Sequence, residues 1–102
     1  MNQNTDILPD VSSILAASLP HASLAEMARI IRKDWRKADG KPAVNFAAVP
    51  YLNAMECLST MADKHGCDSA GEIVMYFLSN ATTWRGPVAK AVKAELNRRL
   101  KK

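Results

Sequence analysis

The chain has 102 residues, 48% of them hydrophobic and 24% charged, with a formal net charge of +4. That balance fits one small soluble domain with a single core and argues against a disordered chain. No apolar run approaches the roughly 18 residues that a membrane-spanning helix needs. The opening "MNQNTDILPD" carries no positive charge before its first apolar residues, which argues against a secretory signal and for the cytoplasm.

Glycine and proline fall between periodic segments, and strand-like alternation is absent apart from a short extended piece at "AVNF", 43–46. The stretch "PDVSSILAASLP" fits a short helix capped by Asp10 and ended before Pro20. Residues 1–22 are expected to form a loosely held segment, and 23–102 a single helical domain. Ser23 with Glu26 reads as a capping box opening the next helix. At about 100° per residue, Leu24, Ala28, Ile31 and Trp35 fall on one stripe, with Met27 beside it. Arg29, Arg32, Lys33 and Arg36 gather opposite, and Gly40 and Pro42 end the helix.

Pro50 suits the first turn of a third helix. Tyr51, Met55, Leu58 and Ala62 share one face, so this helix is expected to run on until Gly66 provides a left-handed stop. Ser69 with Glu72 reads as a second capping box. Ile73, Val74, Phe77, Leu78, Ala81 and Trp84 then form a wide apolar arc, the mark of a well-buried helix. Gly86 and Pro87 read as cap and first residue of a basic C-terminal helix. There Val88, Val92, Leu96 and Leu100 recur every four residues. The fold class these patterns define is all-α, a compact bundle of four to five amphipathic helices.

Charge is unevenly placed. Residues 29–41 hold six basic groups against two acidic ones, and residues 85–102 hold seven against Glu95 alone. Cations near a helix C-terminus gain about 0.3–1 kcal/mol each from its dipole, which accounts for much of both blocks. It does not account for Lys90 and Lys93 in mid-helix. The candidate binding residues are therefore Arg29, Arg32, Lys33, Arg36, Arg85, Lys90, Lys93, Arg98 and Lys101.

Chemistry has less support. Cys57, His65, Cys67 and Asp68 are close in sequence but lack the paired spacing of zinc ligands. The two cysteines are expected as free thiols. His21 stands in a loop, and no nucleophile or phosphate-loop motif is present. The expectation is a protein that is not an enzyme and holds no cofactor or metal. Trp84 reads as a filler between two helices. Ile30, Leu52, Met75 and Tyr76 project away from the stripes. They make either a surface for a partner or a second copy, or a sign that helices bury more than one face.

"AVPYLNAM" (48–55) and "SNATTWRGPVAKAVKAELNRRL" (79–100) resemble a group of small uncharacterised bacterial proteins, some carried by plasmids or other mobile elements. The resemblance implies a compact helical domain in a bacterial cytoplasm and carries no functional residue with it. The function these observations favour is a non-enzymatic binding or regulatory domain with a protein partner, and with self-association as a second use of the same surface. The alternative is a nucleic-acid-binding accessory protein using the basic arcs of 23–37 and 87–102. That alternative requires both arcs on one side of the domain.

Overall fold

The structure is a computed structural model and describes residues 17–37, 39–66 and 68–101. The short helix expected over residues 9–20 lies, but for its last residues, outside them. Four α-helices follow in order: α1 (Leu24–Asp34), α2 (Val49–Met55), α3 (Ala70–Ser79) and α4 (Pro87–Leu100). A two-stranded antiparallel ribbon, β1 (Lys64–His65) and β2 (Asp68–Ser69), lies between α2 and α3. The protein is thus mostly helical, not all-α. The helices close a ring in which α1 packs on α2, α2 on α3, α3 on α4 and α4 back on α1.

Both capping boxes form. Ser23 Oγ accepts from Glu26 N at 3.0 Å while Ser23 N donates to Glu26 Oε1 at 2.7 Å. Ser69 and Glu72 repeat the exchange at 3.2 and 3.1 Å. The start of α1 is satisfied from a second source as well. Leu24 N and Ala25 N donate to the carbonyls of Ser59 and Leu58, each at 3.0 Å. All four N–H groups that a helix start leaves without an intrahelical partner are therefore bonded.

That arrangement explains the main departure from the sequence expectation. The third helix was expected to continue towards Gly66, yet α2 ends at Met55. Leu58 and Ser59 turn their carbonyls towards α1 instead of along a helix of their own. The Asp63 carboxylate then gathers the N–H groups of Ser59 and Thr60 at 2.8 and 3.0 Å, which holds the turn and lowers the Asp63 pKa. Such side-chain bonds compete with helix, which is why Asp, Ser and Thr favour turns. Gly66 does take positive φ, +64°, but as part of the two-residue link between β1 and β2.

The core is a single cluster. Leu24, Met27, Ala28 and Ile31 come from α1, Leu52 and Met55 from α2, Ile73, Val74 and Phe77 from α3, and Ala89, Val92 and Leu96 from α4. Leu52 is fully buried and so belongs to the core, not to an outward patch. Ile30 is half-buried against the same cluster. Ala81 and Trp84 are buried as the apolar arc requires, although α3 has already ended at Ser79.

Three rings meet at the centre. Trp35 stacks on Trp84 with centroids 5.8 Å apart, and Phe77 sits edge-on to both at 6.4 Å. Such contacts add roughly 0.5–1.5 kcal/mol per pair beyond area burial. Phe77→Ala is expected to cost about 3–5 kcal/mol in denaturant unfolding, because the buried ring leaves a cavity between two indoles. A loss under about 1 kcal/mol, the scale of an ordinary surface change, would contradict this core.

Candidate functional site

The basic residues divide by the work they do inside the fold. Lys93 is half-buried. Its Nζ donates to the carbonyls of Ala81 and Trp84 at 2.7 and 2.6 Å and lies 5.8 Å from the centroid of the Trp84 ring. Desolvation, and then the nearby Arg85, lower its pKa. The sequence places Lys93 on the solvated arc, but the structure uses it to tie the α3–α4 link to α4. Arg32 donates to Glu56 Oε2 at 2.6 Å and also to Asn53, bracing α1 on α2. Arg36 donates to the carbonyls of Lys33 and Gly40, closing the end of α1. Arg98 pairs with Glu95.

Glu95 was legible only as the one acid of the tail, yet it organises that end of the fold. It stands three residues after Val92 and one before Leu96, on the apolar side of α4, and is 7% exposed. Arg98 and Arg99 both bond its carboxylate, Arg99 Nε at 2.7 Å. Those bonds hold its pKa down at about 2, against the opposing effect of burial. Arg99 reaches on to the carbonyls of Leu19 and Ala22, each at 2.8 Å. Leu19 is buried, so the docked part of the chain extends back at least to that residue.

Arg29, Lys33, Arg85, Lys90 and Lys101 remain exposed, with no side-chain hydrogen bond or salt bridge among the described residues. Their placement follows from two contacts on α1. Arg32 meets α2, whereas Asp34 Oδ2 accepts from Trp84 Nε1 at 2.9 Å. Residues two apart on a helix are separated by about 200°, so these contacts lie on nearly opposite flanks. Arg29 and Lys33 are exposed between those flanks, on the side of α1 away from the core, whereas Arg36 lies beyond the end of the helix. Arg85 and Lys90 belong to the flank with Trp84. Arg99 holds the residues before α1 while Trp84 meets its end, so α1 and α4 run antiparallel. The start of α4, with Arg85 and Lys90, therefore lies beside the end of α1.

Two open clefts accompany these groups. One, of about 390 Å³, is lined by Trp84, Arg85, Gly86, Ala89, Lys90 and Lys93. The other, of about 480 Å³, lies beside His21, Ser59, Thr60 and Arg98. A concave surface therefore does stand next to His21. His65 is exposed on β1 and does not close a helix. Cys57 is exposed, not part of the core, and its Sγ donates to Asn53 O at 3.7 Å. Cys67 lies outside the described residues. Among the described residues, no group of three His, Cys, Asp or Glu side chains is arranged to hold a metal. No helix there is long and apolar enough to cross a membrane.

The outer side of α3 carries the other exposed feature. Met75 and Tyr76 are 49% and 46% exposed, and the Tyr76 ring lies 5.5 Å from that of Tyr51 on α2. Phe46, in the single turn before α2, is 90% exposed. Family models, curated proteins and solved structures were all compared with the chain, and none matches it.

Lys93→Met should cost on the order of 1–3 kcal/mol, because two carbonyls lose their donor. Lys90→Ala should stay within about 0.5 kcal/mol, as a surface change does. Paired urea titrations would separate the two, and equal losses would refute the division. Glu95 adds a pH dependence. Its folded pKa of about 2 lies below its ordinary 4.5, so its contribution is complete above 4.5 and is lost as pH falls towards 2. Wild type should lose more stability than Glu95→Gln across that window, as read by urea midpoints at each pH.

Proposed function

We propose that this protein is a non-enzymatic binding domain of the cytoplasm whose partner is a protein. The observation that carries this reading is the outward ridge of α3, where Met75 and Tyr76 stay half exposed and Tyr51 braces the Tyr76 ring. Aromatic residues and methionine are enriched at the centres of protein interfaces, and a braced ring loses little freedom on binding. The stretch from 42 to 84 that holds this ridge carries one basic group, Lys64, against four acidic ones. The partner surface is accordingly apolar at its centre with a basic rim. A second copy of this chain would be recognised as such in the test below.

Several members of the two basic arcs already hold the fold together, which leaves fewer cations for a duplex.

A photo-reactive phenylalanine analogue at position 76 tests the reading. It is expected to cross-link one discrete protein species in cells, and the same analogue at position 82, an exposed site in the α3–α4 link, is not. Equal labelling from both positions, or none from 76, would defeat it. A labelled oligonucleotide bound at about 50 mM salt, released at 200 mM and lost in Lys90→Ala, would favour the nucleic-acid reading instead.

A further inference from the structure

The cleft between the α3–α4 link and the start of α4 is not used by the aromatic ridge, and its chemistry is of another kind. Its six lining residues include three cations, Arg85, Lys90 and Lys93, and no carboxylate. Lys93 is fixed: two carbonyls hold its Nζ beside the Trp84 indole, which leaves one of its three N–H groups uncommitted. Arg85 and Lys90 are exposed and bonded to no described side chain, so their presence at one cleft is not explained by the fold. The nearby Asp34 carboxylate is engaged by Trp84 Nε1 and does not line the cleft. Gly86, at φ +113°, presents no side chain, and the space beside it is open. Like charges are thus brought together with no carboxylate in the lining, around a concavity of about 390 Å³ with one clear wall.

We infer that this cleft binds the dianionic phosphoryl group of a small phosphate monoester. Lys93 supplies a fixed cation at the base, and Arg85 and Lys90 close on the anion from the rim. Arginine offers a planar fork that matches phosphate oxygens, and lysine acts as a point charge. Two free cations and a third partly offset by carbonyls suit a charge of two better than the single charge of a phosphodiester. Binding would also relieve the repulsion between Arg85 and Lys93. The site is separate from the α3 ridge, so either can fail without the other.

The experiment is a titration of the full chain followed by amide NMR shifts, with inorganic phosphate and glycerol phosphate as probes. Dimethyl phosphate is the diester arm, and sodium chloride at equal ionic strength is the screening control. The expected result is saturable movement of the Gly86, Lys90 and Lys93 amides with both dianions. Dimethyl phosphate should bind at least tenfold more weakly, and chloride should give no saturation. Arg85→Ala and Lys90→Ala, whose other amides should stay in place, are each expected to weaken dianion binding at least fivefold. Movement that tracks ionic strength alone, equal binding of the diester, saturation at other residues, or unchanged affinity in both variants would overturn the assignment.

Discussion

A single indole links the parts of this fold that the chain alone would leave apart. Trp84 lies in the link between α3 and α4, beyond the reach of either helix's own hydrogen bonds. Its ring stacks on Trp35 from the end of α1 and meets Phe77 from α3, and its Nε1 donates to Asp34. Its carbonyl receives Lys93 from α4. Three helices are therefore referred to one residue. A tryptophan can serve in this way because it couples a large apolar body to one polar handle, and here the handle is satisfied. The approach of the start of α4, with Arg85 and Lys90, to the end of α1 runs through this anchor.

The basic residues show why charge counts are weak guides to partners. Nine cations on two basic arcs stand out in the sequence as candidate binding residues. In the fold, Lys93 ties down carbonyls of the α3–α4 link, Arg32 and Arg98 pair with acids, and Arg36 closes its own helix. A cation with long methylene stems can span from one element to another, and the same residue type serves solvent, structure or ligand equally well in a sequence. What separates these roles is a neighbour distant along the chain, such as Ala81 for Lys93 or Asn53 for Arg32. Of the nine, Arg29, Lys33, Arg85, Lys90 and Lys101 are exposed with no side-chain hydrogen bond or salt bridge among the described residues.

The helices were legible where local rules decide them. Ser23 with Glu26 and Ser69 with Glu72 mark their starts correctly, and the stripe from Leu24 to Trp35 is buried. Legibility failed where a distant group intervenes. The face shared by Tyr51, Met55, Leu58 and Ala62 is a fair helical pattern. It yields because the carbonyls of Leu58 and Ser59 serve the first turn of α1, more than 30 residues earlier in the chain. Leu52 looked outward for the same reason: its neighbours belong to other helices. The cleft was visible only in part, as the mid-helix Lys90 and Lys93. Nothing in the spacing says that Arg85 faces the same concavity.

Arg99 and Leu19 stand 80 residues apart and meet directly. Closing so long a loop is entropically costly, so a contact of this separation is expected to form late, after nearer ones have reduced the search. Interactions absent from the folding transition state slow unfolding without hastening folding. Glu95, by holding Arg99 in place, is thus expected to act on how long the folded domain survives more than on how quickly it is reached. The two ends of the described chain are fastened to each other like the clasp of a closed band.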